Sequence, residues 1–205
     1  MPSKPAARNF RTPDASRRSE QSRRAILDAS MELVGELGYN KLTIEAIAAR
    51  AGVGKQTIYR WWSSKAAVLL DAFTTVVTDP DYEAGIPDTG DLEADLKRVL
   101  RATVDEFTDD SFEAPYRALA VAGAGDAELS REFVERLMEP GLEVYTRRLR
   151  SAQEAGQIAE DVDLGLAVEM LVGPFQQRWL NRMGGLTYEF TDSLVELVLR
   201  GLAPR

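Results

Sequence analysis

Apolar residues recur at helical spacing along nearly the whole chain. In the first segment Ile26, Leu33, Val34 and Leu37 fall on one face, and Gly38 follows where a helix C-cap belongs. A short helix is predicted from about Ile44 to Ala51, with Thr43 as its N-cap and Glu45 favourable in its first turn. A second short helix runs from about Lys55 to Trp62, and a further one starts near Ser64 and reaches about Thr78. Farther on, Leu92, Leu96, Val99, Leu100, Val104 and Phe107 repeat at the same spacing, and a shorter helix covers roughly Glu113–Gly123. From Asp126, a good N-cap, a long pattern passes through Leu129, Phe133, Leu137, Leu142, Tyr145 and Leu149. Pro140 and Gly141 interrupt it and predict a kink or a break. Another helix follows Asp163, with Leu164, Val168, Leu171, Phe175 and Trp179 on one stripe and a bend expected at Gly173–Pro174. The last covers about Phe190–Leu202. Nine helices and no convincing strand make the class all-α.

Two stretches break the pattern. The first nineteen residues are rich in Pro, Ser, Ala and Arg, lack periodicity, and read as a flexible basic arm. Asp79–Gly90, with two prolines and two glycines, reads as a loop or linker between helices.

Charge sharpens this division. The 205 residues carry a formal charge of −8, which would ordinarily argue against a polyanionic partner. Residues 1–70, however, hold twelve basic and six acidic side chains, and residues 71–205 hold thirteen and 27. A front part at +6 joined to a remainder at −14 implies different partners for the two. The chain has no Cys and no His. That excludes disulfides, thiolate or imidazole metal sites, Cys nucleophiles and Ser-His-Asp catalysis, and no cofactor is expected. No apolar run approaches a bilayer span and no secretory signal is evident, so a cytoplasmic protein is expected.

The informative stretch is Leu42–Lys65, LTIEAIAARAGVGKQTIYRWWSSK. A helix-turn-helix needs a small residue where its helices meet, a residue tolerant of positive φ in the turn, and a buried aliphatic on the second helix. Ala48, Gly52 and Ile58 stand at those places, with Ile47 and Val53 adding core contacts. The second helix then exposes Lys55, Gln56, Thr57, Tyr59 and Arg60, a face suited to a major groove. Lys and Gln can read guanine and adenine edges, and Thr can meet a thymine methyl. The bland alternative for this face is a solvated helix surface. Trp62 is expected in the core beneath it, while Trp61 is open between packing and backbone contact. Arg17 and Arg18 are read either as a tail or as an arm following DNA.

These motifs resemble the TetR family of transcriptional regulators. The resemblance rests on RRAILDASMELVGELGYNKLT and IEAIAARAGVGKQTIYRWWSSKAAVL, including Tyr59, the aromatic Trp62, Ser63–Ser64–Lys65 and Val68–Leu69. It is specific over residues 20–70, and the remaining 135 residues match in helix number, spacing and length alone. Gln56, Trp61 and Trp62 depart from the family's commoner residues. The resemblance implies an all-helical homodimer, with a DNA-binding domain at 20–66 behind the arm 1–19 and a ligand-binding and dimerisation domain at 67–205. It assigns Lys55, Gln56, Thr57 and Tyr59 to a DNA-facing recognition helix and places Thr43 and Lys65 where phosphates are commonly touched. The expected partners are a double-stranded, near-palindromic operator, a second copy of the chain and a small-molecule effector that releases the DNA.

Candidates to line an effector cavity are Phe107, Tyr116, Met138, Tyr145, Met170, Phe175 and Trp179, with Gln177 and Arg178 as polar contacts; the competing reading is plain core. The last two helices are the candidate dimer face, through Leu164, Val168, Leu171, Leu194, Leu197 and Val198; the competing reading is packing within the chain. A transcriptional activator would use the same DNA mechanics. An enzyme would need paired carboxylates such as Asp109–Asp110 or Glu160–Asp161, yet nothing in the sequence converges on them. GVGKQT at Gly52–Thr57 lacks the first glycine of a phosphate loop, and GAGDAE at Gly123–Glu128 lacks the third of a dinucleotide fingerprint.

Overall fold

The computed structural model describes residues 13–77 and 85–204. Every regular element among them is helical. Helix α1 (Pro13–Leu37) begins inside the stretch read as an arm. Arg17 and Arg18 therefore stand on exposed early turns of α1, and residues 1–12 of the expected arm lie outside the described residues. A 3-10 turn (Tyr39–Lys41) leads into α2 (Ile44–Ala51), α3 (Lys55–Tyr59) and α4 (Lys65–Val77). α3 stops three residues short of the helix expected there. Of the expected linker, residues 85–90 are non-helical and 79–84 lie outside the described residues.

α5 (Leu92–Thr108) and α6 (Asp110–Gly123) follow, each capped by an aspartate whose side chain accepts a backbone N–H, Asp91 from Ala94 and Asp109 from Ser111. Asp109 is thereby a cap, and no group of three acidic side chains among the described residues is placed to hold a metal ion. α7 (Ala127–Phe133) and α8 (Glu139–Glu154) form one rod, joined by a π turn at Val134–Met138. The chain does not break at Pro140, where a kink or a break was expected. A proline inside a regular helix crowds the carbonyl four residues back, here that of Arg136, and the widened turn absorbs the misfit. α9 (Leu164–Leu180) likewise runs unbroken through Pro174, and α10 (Tyr188–Leu202) closes the chain, making nine helical rods among the described residues.

Two apolar cores result. The first joins Ile26 and Leu33 of α1, Ile47 of α2, Ile58 of α3, Trp62, and Leu69 and Phe73 of α4 with Leu119 of α6 and Phe133 of α7. It runs across the boundary expected at residue 66, so the front helices and the start of the effector part share one interior. The second joins Leu96 and Leu100 of α5, Leu149 of α8, Val168 and Leu171 of α9, and Val195 and Val198 of α10. Val168, Leu171 and Val198, expected at a dimer face, are interior residues no more than 4% exposed. Their stripe is the one that α9 and α10 turn toward their own chain.

A buried ion pair locks the second core to the loop before α5. Arg148 Nη2 lies 2.8 Å from Asp95 Oδ2, its Nε also reaches the Pro87 carbonyl, and both the backbone N–H and the hydroxyl of Thr89 donate to Asp95. Burial opposes the charge on Asp95, but Arg148 and Thr89 outweigh it and hold the carboxyl below its usual range. A carboxylate with a lowered folded-state pKa adds stability above its unfolded pKa and loses it as the pH falls through the folded value. Asp95→Asn leaves the buried Arg148 with only the half-exposed Asp88, 3.3 Å away, as counter-charge and should cost about 3 kcal/mol in urea unfolding at pH 7. The loss of stability below pH ~4 should be shallower in the variant than in the parent chain.

Candidate nucleic-acid interface

The turn between α2 and α3 is built by its backbone. Gly52 adopts φ 67° and ψ 32°, its N–H bonds back to Ala49, and the Val53 N–H reaches the Ala48 carbonyl at 3.0 Å. This left-handed cap is open to glycine at little cost and reverses the chain tightly enough to set α3 across α2. Thr43 caps α2 as expected from the sequence, its Oγ1 accepting the Ala46 N–H at 3.1 Å, which leaves its own O–H to donate outward.

α3 is anchored from below and bare above. Ile58 is fully buried, and Trp62, just past the helix, is 7% exposed. Lys55, Gln56, Tyr59 and Arg60 lie on the outer face, with Tyr59 half exposed and Thr57 at the margin. Trp61 is half-buried, edge-on to Trp62, with the Arg60 guanidinium 5.0 Å from its ring centre. Five of the seven residues expected at DNA thus share one outward surface. Lys55 is engaged in the free chain, its Nζ 3.0 Å from Glu45 on α2. Glu45 raises the Lys55 pKa through this contact, and the pair is solvent-exposed, so phosphate can displace it at small cost. Lys65 is placed differently. Its Nζ donates to the carbonyls of Tyr39 and Leu42 at 2.8 Å each and sits 4.3 Å from the Tyr39 ring centre. Its ammonium ties the α1–α2 turn to the start of α4.

The expected effector residues separate into groups. Phe107, Tyr116, Phe175 and Trp179 meet in one ring cluster, joined by Phe112 and Phe133, with centroids 5.1 to 5.7 Å apart. Glu113 accepts the Trp179 indole N–H at 3.0 Å and pairs with Arg117, which stacks over Trp179. Burial raises the Tyr116 pKa to about 12. Tyr145, whose pKa burial likewise raises to about 12, packs against the second core. Met138 borders the first core, and Met170 is 46% exposed on α9, away from the rings. Gln177 is exposed, and Arg178 covers Phe190 and reaches the Gly185 carbonyl.

On α9 and α10 the outward apolar side chains include Leu166, Met170 and Leu197, the last 65% exposed, with Leu180 and Tyr188 exposed at the helix ends, while Leu164 and Leu194 are half-buried. Leu166 was not among the residues picked from the sequence. α9 is apolar on more than one face, a pattern that signals cover on both sides.

Residues 26–72 match the profile of the tetR family of bacterial regulatory proteins, and residues 86–198 match the tetracyclin repressor-like C-terminal domain. The chain belongs to the TetR family of transcriptional regulators. YdeS of Bacillus subtilis, an HTH-type transcriptional regulator, is 31% identical over 90% of this chain and 91% of its own. The DNA-binding transcriptional repressor TetR of Mycobacteroides abscessus is 30% identical over 89% and 94%. The crystal structure of the TetR-family regulator SCO0332 superposes with a TM-score of 0.71 at 34% identity, covering 90% of this chain and all of that one. The matched profiles and relatives are DNA-binding regulators, not enzymes. No described helix of this TetR-family chain is long and apolar enough to cross a membrane.

Replacing Lys65 by Met removes both carbonyl contacts and should lower the melting temperature by roughly 2–4 °C, the shift expected for about 1 kcal/mol in a chain of this length. Lys55→Ala, on the exposed face, should leave it unchanged. Thermal melts followed by circular dichroism distinguish the two roles.

Proposed function

We propose that this chain is a homodimeric repressor that binds a near-palindromic operator through α3 and leaves it when a small molecule enters the effector part. The observation that carries the reading is the outward face of α3, where Lys55, Gln56, Tyr59 and Arg60 stand over the buried Ile58. Two such helices in a dimer would enter successive major grooves. Phosphate contacts are proposed for Thr43, whose hydroxyl remains free to donate, and for Lys65 through the donor that its two carbonyl bonds leave unused. Repression is supported by the description of the Mycobacteroides abscessus relative, a DNA-binding transcriptional repressor.

The effector is proposed to be an apolar molecule that separates the rings of Phe107, Tyr116, Phe175 and Trp179. Such a ligand can shift the chain only by binding one arrangement better than the other. The second copy is proposed to dock on Leu166, Met170 and Leu197, an apolar surface on two helices that pack on each other.

Two experiments test this reading. Alanine at Lys55, Gln56 and Tyr59 together should abolish operator footprints while the melt stays unchanged, and a persistent footprint would remove α3 as the recognition helix. Leu166→Glu with Leu197→Glu should convert a sedimenting dimer to a folded monomer that has lost specific operator binding; a dimer surviving both charges would place the interface elsewhere.

A further inference from the structure

Asp71 is the one charged residue in the apolar run 66–73 of α4. Its side chain is 20% exposed and its two oxygens serve different parts of the molecule. Oδ2 accepts from Arg23 of α1 at 2.6 Å and from the indole N–H of Trp62, just past α3, at 3.2 Å. Oδ1 accepts from Arg136 Nη2 at 2.9 Å, and Arg136 lies in the π turn between α7 and α8. One carboxylate therefore ties the base of the recognition helix to the irregular turn of the effector part.

We propose that the Arg136–Asp71 contact is a latch that transmits the state of the effector part to α3. The inference rests on the regulatory reading above and names the side chains that execute it. Three features make the contact a switch rather than a rivet. Arg136 has a second carboxylate within reach, Glu132 Oε2 at 3.8 Å on its own helix, so releasing Asp71 does not strand the guanidinium. The turn that carries Arg136 is π-helical, and relaxing it toward α geometry re-aims residues 134–138. Phe133, which ends α7 just before that turn, has its ring 5.1 Å from Tyr116 of the effector cluster. A molecule that parts the rings displaces Phe133, and with it the turn that holds Arg136. Asp71 then keeps Arg23 and Trp62 but loses its hold on α7–α8, and α3 is left to the packing of the shared core alone. Burial raises the pKa of Asp71, but its three donors outweigh it and keep the group ionised, so the latch is charged at neutral pH.

The test uses the full-length chain and an operator duplex recovered by selection from genomic fragments. Arg136→Gln should weaken operator affinity by roughly fivefold or more. It should also speed amide exchange across residues 55–62 in the absence of DNA. Asp71→Asn should weaken binding as well, and adding Arg136→Gln to it should change nothing further. Arg136→Lys should restore part of the loss, and it replaces the Asp71 variant if that one melts below the assay temperature. Glu132→Gln, which removes only the alternative partner, should bind DNA at least as tightly as the parent chain. Arg136→Gln with unchanged affinity and unchanged exchange would overturn the latch, as would full additivity with Asp71→Asn. A parent chain that selects no duplex would contradict the regulatory reading instead, while the exchange experiment would still decide the contact.

Discussion

A helix of five residues does not persist in water on its own, because its few hydrogen bonds do not repay the cost of nucleation. α3 exists only because Ile58 is sunk to zero exposure in the first core and because Trp62 is held behind it by Asp71. Everything outward on α3 depends on that anchorage. With the lower face fixed, Lys55, Gln56, Tyr59 and Arg60 need no further support to stand on the other side. Their presentation is a by-product of burial, and it is rigid to the degree that the core is rigid.

The same core explains why the molecule can act as more than two joined pieces. Phe73 of α4 touches Phe112 and Tyr116 of α6, and Leu119, Leu129 and Phe133 continue the interior that begins with Ile26. Displacement in the effector part is thus felt in a packed medium that contains the base of α3. The charges are sorted along this axis. The basic residues are concentrated in the front part and the acidic ones in the remainder, a distribution that favours polyanion contact at the front helices.

Legibility in the sequence follows locality. Thr43 and Asp126 are visible as caps because a cap is a contact between residues two or three apart. Gly52 is visible because its turn demands positive φ. Partners distant in sequence were not visible. Nothing in the string links Asp71 to Arg136, 65 residues away, although a lone acid in the run AAVLLDAF is a signal that something must meet it. Nor could spacing decide which apolar stripe of α9 faces its own chain: Val168 and Leu171 turn inward while Leu166 and Met170 turn outward. Pro140 was readable as a disturbance, but whether the chain breaks or widens into a π turn depends on packing against other helices.

We propose that α3, held by the core, reads DNA in a symmetric pair. Capture of genomic fragments by the intact chain, followed by sequencing, tests it most directly. The captured fragments should share one inverted repeat, with half-site centres about one helical turn apart, and capture should fall steeply as salt is raised. Fragments without a common repeat, or capture indifferent to salt, would contradict it.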